Sequence, residues 1–539
     1  MPDAFDDAVA AFLAHSFERN PTAATYFGLT EHDQRLDDVT ADGFARREAA
    51  TTTWLARFEA FDPATLGAEQ QVDLALLQAR LGAQAATASF QAWRRNATTY
   101  LDNGVFELFV HGTRPEADAT AAAVERLAQV PAALAAGREN LDPDLMDAEL
   151  VRQFAVPNVA AQAAFMRRGV GALVQDADLR RRLEAAGAEA ASAYDDFAAD
   201  LGERAEQARG SFVYGEERYD ATLRLGEGFD FGARGVRDRG REQMALLDDE
   251  MSRLAEKIGG RADWREVVTG LRGDHPSSMD DLLRCYREET ERARRFVGDH
   301  HIMALPEGES CAVEPSPLFM RAAIPVASYF PAPYYGTPSR GTFNVPFTPD
   351  GAGAEEQEAR LRSNSFFEIP GVTAHEAYPG HHLHYATARQ ANALRQVLGS
   401  TYMSEGWGLY VEKMMGEHGY YSSDAARLGQ LSMRMFRAGR MVVDTSLHLG
   451  EMTMPEATDF MAQRCGFPVP TARGEMLRYC ARPTQASSYL TGALVIEGMA
   501  ARWASQGMGT LPQFHEALTG SGKLPLGVAA QAIGLEPEA

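Results

Sequence analysis

TAHEAYPGHHLHYA, residues 373–386, is the segment from which the architecture can be read. Four histidines and a glutamate fall within ten residues of a chain that has only 13 histidines, which marks this as the place to look for a metal. Catalytic zinc takes histidine and carboxylate ligands, usually three protein groups and a water. In the common arrangement, histidines at i and i+4 share one helical face and the adjacent glutamate is the general base. Position i+4 from His375 is Pro379, which cannot ligate. His381 and His382 would stand about 9 and 10.5 Å along the axis of an unbroken helix, too far to share an ion with His375. The helix must therefore break inside the segment. Pro379 and Gly380 are the residues able to break it, because proline lacks a backbone donor and glycine tolerates unusual dihedrals. Tyr378-Pro379 then reads as a two-residue insertion, with His381 as the expected second ligand and His382 as its alternative.

The next acidic cluster, SEGWGLYVE at 404–412, supports this reading. Glu405 follows His381 by 24 residues, enough for one helix to finish, turn and send a second back past the ion. The expected centre is one Zn2+ held by His375, His381 and Glu405, with a position left for water. Glu412, on the same helical face as Glu405, is expected to orient a ligand or form a salt bridge. His382 and His384 are expected to hydrogen-bond near the site if they do not ligate.

Away from this segment, Ala, Leu, Arg and Glu dominate residues 8–304, with apolar residues recurring at spacings of three and four. That is a helical pattern, seen at 73–83, 121–130 and 236–258 and punctuated by Pro131, Gly137 and Gly259-Gly260. No fixed-period repeat appears. Between 306 and 349 nine prolines interleave with β-formers, which excludes a long helix. Short extended pieces are expected at 323–330 and 342–347, demoted to edge strands by their prolines; such an edge suits an extended peptide, although an ordinary rim loop accounts for it equally. The helical pattern returns at 354. The predicted class is mainly α with a small antiparallel β element near the metal site, divided into a helical half (1–305) and a metal-binding catalytic half (306–539).

A zinc hydrolase also needs a base and an oxyanion donor. Glu376 is the expected general base, taking a proton from water and passing it to the leaving amine. Tyr489 is the first candidate donor, with Tyr479 and His448 behind it; each tyrosine is equally well explained as a core ring with a satisfied hydroxyl. Arg440, Asp444 and His448 recur every four residues and form one helical stripe, either as ion pairs or as support for a ligand. Arg482 could take a substrate carboxylate. GSGKL at 520–524 lacks the first glycine and the hydroxyl residue of a phosphate loop, and no Gly-x-Ser-x-Gly elbow is present.

The sequence resembles the bacterial family catalogued as domain of unknown function 885. The resemblance rests on RNPTAATYFGL (19–29), HEAYPGHHLH (375–384), EGWGLYVE (405–412), RMVVDTSLH (440–448) and RPTQASSYLTG (482–492). That family looks like a branch of the gluzincin metallopeptidases, and GHHLH is similar to the GHxLH portion of thimet-oligopeptidase-like enzymes. The similarity places His381 at their second ligand and Glu405 at their third; the inserted Tyr378-Pro379 departs from them. It implies a large multi-helix peptidase fold with a substrate cleft.

A net charge of -23 disfavours nucleic acid as a partner. Residues 1–14 carry no early Lys or Arg and only a short apolar stretch, and no apolar run approaches the roughly 20 residues needed to span a bilayer, so a cytoplasmic, membrane-free protein is expected. Four cysteines are too few for a disulfide framework. The expected function is hydrolysis of short peptides through a water activated by zinc. An amidase or esterase acting on a small metabolite is the runner-up, and a non-catalytic protein with a closed structural metal is the alternative of another class.

Overall fold

The computed structural model describes residues 2–110, 112–321, 324, 326–335 and 340–535. Helix dominates throughout. The chain divides into two compact units, Met1–Tyr214 with Ala332–Ser339, and Gly215–Pro331 with Arg340–Ala539. The division expected at 305/306 does not coincide with this one. The reason is packing: helix Gly232–Gly259 lies along helix Asp424–His448, and helix Met279–Asp299 lies against helix Ile369–Glu376. Residues 215–305 thus share the core of the later half.

In the first unit, helices Glu116–Asn140, Val156–Arg168 and Ala177–Gln207 pack around Leu127, Val130, Leu134, Met166, Tyr194 and Phe197, all buried. Pro131 and Gly137 do not end a helix as their types suggest; both lie inside Glu116–Asn140. Pro131 forfeits one backbone bond, but the buried residues around it hold both turns in place. At Gly137 a Cβ would stand 2.9 Å from the Tyr100 ring, so glycine is there to admit the ring. Gly260, in contrast, does end its helix, in the left-handed region at φ 66°.

The RNPTAATYFGL motif forms helix Pro21–Phe27, closed by Gly28 at φ 97°. Its Thr25 hydroxyl donates to Asp33 (2.8 Å), which is also paired with Arg114. The fully buried Arg126 donates to the Gly104 carbonyl at 2.6 Å and to the Thr25 hydroxyl. The motif therefore builds a buried polar cluster in the first unit.

The second unit carries the sheet and the histidine segment. The sheet has three strands, β1 (Cys311–Pro315), β2 (Ser328–Phe330) and β3 (Gly341–Val345), in the order β1-β3-β2. It is mixed and not antiparallel throughout: β2 pairs antiparallel with β3, whereas β1 pairs parallel, Cys311 opposite Gly341. The piece expected at 342–347 is the central strand, because Pro346 falls just beyond its end and interrupts no ladder. Of the piece expected at 323–330, Ala323 and Pro325 lie outside the described residues, and strand begins at Ser328.

Two helix pairs owe their closeness to glycine. A Cβ on Gly406 would meet Gly492 Cα at 2.7 Å, so helices Thr401–Glu417 and Ser488–Ser505 approach backbone to backbone. Gly240 likewise admits Met441 on the Asp424–His448 helix. Among the described residues no helix is long and apolar enough to cross a membrane. All four cysteines are free.

Candidate metal centre

Helix Ile369–Glu376 stops at the glutamate, and a new helix, His381–Ala388, starts at the second histidine. The break falls on 377–380, where the Tyr378-Pro379 bond is cis. Two observations show what fixes it. The indole of Trp407 donates to the Pro379 carbonyl (2.8 Å), and a Cβ on Gly380 would collide with the His375 carbonyl at 1.8 Å. Only glycine lets the chain fold back this tightly. The result brings the His375 and His381 rings to 4.6 Å between centroids, edge to face.

Glu405 arrives from helix Thr401–Glu417, with Oε2 3.5 Å from His375 Nε2 and 3.5 Å from His381 Nε2. Zinc–nitrogen and zinc–oxygen bonds of about 2.0–2.2 Å at tetrahedral angles put neighbouring ligand atoms about 3.4 Å apart. The two distances fit such a pair of edges. The Glu376 carboxylate joins His375 and His381 in a group whose ligand atoms lie within 4.8 Å of one another. Glu405 lies 3.5 Å from both rings, and Glu376 is the carboxylate grouped with the two histidines.

The ring of His375 is held from behind. Its Nδ1 donates to Glu412 Oε1 at 2.8 Å, leaving Nε2 to face Glu405. Gly408, midway between the two glutamates, lies flat against the same ring, where a Cβ would stand 2.6 Å from Cε1. The EGWGLYVE segment is thereby explained: Glu405 and Glu412 grip the histidine from two sides, Trp407 pins the break and Gly408 makes room. Burial opposes a charge on His375, yet its hydrogen bonds with Glu405 and Glu412 push its pKa up to about 10. Burial likewise opposes the Glu405 carboxylate, but both histidines hold its pKa well below the usual range. At Glu376 burial wins, and its pKa is raised in spite of His381 and His375.

If the centre holds zinc, replacing Glu412 by glutamine is expected to weaken its binding by about 10- to 100-fold, because the carboxylate fixes the tautomer and direction of His375. Competition against a chelating dye measures it; unchanged affinity would mean that the contact is incidental. Gly408→Ala adds one methyl group against an aromatic ring that has no room to move. An overpacking cost of about 1–3 kcal/mol is expected, together with lower zinc occupancy. Melting curves and metal analysis read both, and a variant that melts and loads like the parent would contradict the close approach.

The remaining sequence candidates separate into two sets. His382 is not free to ligate: Nε2 donates to Glu309 (2.7 Å) and Nδ1 faces the Tyr329 hydroxyl (3.1 Å). Tyr479 donates its hydroxyl to Glu475 and accepts from Arg440 (2.9 Å). Fully buried His448 donates to the Tyr479 carbonyl (3.1 Å), and Asp444 lies 3.8 Å from the same nitrogen while accepting from Tyr219 (2.6 Å). These groups are committed to packing Asp424–His448 against its neighbours, so neither Tyr479 nor His448 is available as the oxyanion donor. His384 is buried beside Trp407, and Arg482 is exposed at the end of helix Val469–Ala481. Tyr489 feels the centre: burial raises its pKa, and Glu405 adds to the rise.

Sequence reasoning missed Glu309, Tyr329 and Arg437. The side chain of Glu309 is covered and accepts from Tyr378 (2.7 Å), His382 and Arg294 (2.9 Å), binding the break in the histidine segment to the Met279–Asp299 helix. It stands in PEGES, which carries no motif. Tyr329 lies on β2, so the sheet does abut the histidine segment.

A family model described as bacterial protein of unknown function (DUF885) matches residues 21–533. Two solved structures share the fold. One, from Shewanella oneidensis, is described provisionally as a lipoprotein of unknown function; it superposes with a TM-score of 0.79 at 21% identity, over 98% of this chain and 99% of its own. The other, from Colwellia psychrerythraea and also provisionally called a lipoprotein, gives 0.78 at 17% identity over 96% of each chain. At such identities the likeness is one of fold. No curated protein matches the chain.

Proposed function

The chain belongs to the family of bacterial proteins of unknown function DUF885, and from the geometry of its histidine–glutamate centre we propose that it is a zinc-dependent hydrolase of the peptidase type, acting on amide bonds of short peptides. The observation that carries this reading is Glu405 Oε2 standing 3.5 Å from both His375 Nε2 and His381 Nε2, with a second carboxylate, Glu376, grouped with the same two histidines. The GHHLH segment, similar to that of thimet-oligopeptidase-like gluzincins, agrees with it.

Bound zinc would lower the pKa of its water to about 7 and polarise the scissile carbonyl. Glu376 would accept the water's proton and return it to the departing amine. Its burial and raised pKa suit a group that must carry a proton between two steps. Tyr489 would donate to the oxygen that gains charge. Glu412 and Gly408 keep His375 in place throughout. The same chemistry would serve an amidase or esterase for a small metabolite, and only substrates separate the two. A closed structural metal would need a fourth protein ligand; His382, the expected one, is engaged by Glu309 and Tyr329.

The test is mass-spectrometric cleavage of a short-peptide library by the zinc-loaded protein. Discrete cleavage supports the proposal and defines the bond that is cut. If the zinc-loaded protein leaves every peptide intact, the peptidase reading fails and small amides and esters become the next panel.

A further inference from the structure

Helix Asp424–His448 carries four arginines, and three of them are neutralised. Arg427 donates to Glu250 (3.1 Å), Arg434 to Glu497 (2.7 Å) and Arg440 to Glu475 (3.0 Å). Arg437 is the exception. Among the described residues its guanidinium donates only to the carbonyl and sulfur of Met433, both at 3.4 Å, and its Nε has no partner although the residue is only 8% exposed. A buried guanidinium with an unpartnered donor is suited to take up an anion through charge-assisted hydrogen bonds.

The position of Arg437 says which anion. Its helix packs against both helices of the centre, Ile369–Glu376 and Thr401–Glu417, and the charges of Glu412 and Glu405 bear on its guanidinium. Its guanidinium stands 5.7 Å from the centre of the Tyr489 ring, whose other neighbour is Arg440 at 4.7 Å. Arg440 is spent on Glu475 and Tyr479 and cannot serve a ligand. Arg437 keeps open a fork of donors suited to a planar carboxylate.

We propose that Arg437 receives the free α-carboxylate of the substrate, so that the centre removes residues from the C-terminal end of short peptides. This deepens the peptidase reading and rests on it. Arg437 is then a specificity-determining group, and the role considered for exposed Arg482 passes to it. A guanidinium that merely balanced the two glutamates would affect all substrates alike.

The test uses the zinc-loaded Glu376→Gln protein as a binding trap, titrated calorimetrically with Ala-Ala-Phe as free acid and as C-terminal amide. The acid is expected to bind at least about tenfold more tightly, a charge-assisted bidentate pair being worth that much, and Arg437→Gln in the same background is expected to erase the difference. Arg437→Lys, which keeps a cation but loses the fork, should restore part of it and guards against a folding defect in the glutamine variant. Equal affinity for acid and amide, no binding of either, or a preference that survives Arg437→Gln overturns the proposal. Hydrolysis by the wild type is scored separately: preference for the acid with no cleavage would sink the peptidase reading and leave the anion receptor standing.

Discussion

Glu376→Gln is expected to lower kcat by about 100- to 10,000-fold while zinc content and melting temperature stay near those of the parent. Glutamine has the shape of glutamate and still hydrogen-bonds, but it takes up no proton. The loss should therefore fall on the chemical step and not on binding, with KM changing little by comparison. Glu376 ends the first helix of the centre, beside His375 and His381 yet outside the pair of 3.5 Å contacts that Glu405 makes. Removing it should leave the ligand set whole. A variant that keeps full activity would remove Glu376 from the reaction; one that loses zinc would make it a ligand and call for a different centre.

Much of this centre was legible in the sequence, and the reasons are physical. Histidine and glutamate have few structural uses that would concentrate them in ten residues, so 375–384 stood out from composition alone. The forbidden i+4 proline and the excessive axial distance required a break, and helix rise fixed how large it had to be. Glu405 could be placed because a helix, a turn and a returning helix need about two dozen residues. What holds the break together could not be read in this way. The partners of His382 come from Glu309 and Tyr329, 73 and 53 positions away, joined to it only by the fold. Arg437 was hidden by the RMVVDTSLH stripe, whose members proved to bond to Tyr479, Glu475 and Tyr219, while the arginine with the unpartnered Nε sat three residues before it. Burial without a partner is a property of three-dimensional neighbourhoods, and no one-dimensional pattern reports it. The same holds for Pro131: a residue type predicts a helix end, but neighbours decide whether the chain pays attention.

Alanine at His381 and alanine at His382 are expected to have opposite consequences for zinc, although the two residues are adjacent. In the proposed zinc centre, His381→Ala would remove one of three protein ligands. Structural zinc sites bind the ion with roughly 10–16 kcal/mol over four protein ligands, which sets about 3 kcal/mol as the scale for one ligand, and affinity should fall at least about 100-fold. The metal-free protein should lose some stability as well, since His381 Nε2 lies 3.5 Å from Glu405 and helps to hold that carboxylate's pKa down. His382→Ala should retain zinc and lose stability, by about 2–3 kcal/mol, because it strips one of three donors from a buried carboxylate. The effect should also depend on pH. Burial alone would raise the Glu309 pKa, but His382, Tyr378 and Arg294 together hold it below its ordinary value of 4.5. A carboxylate depressed on folding stabilises the protein above that value, and the contribution disappears as pH falls through the folded pKa. Without His382 the folded pKa rises, the stabilising contribution shrinks, and acid unfolding should begin at higher pH than in the parent. Zinc titration and acid-unfolding curves on the two variants check both halves. Loss of zinc from His382→Ala alone would move the second ligand one residue along the chain and undo the assignment of the centre.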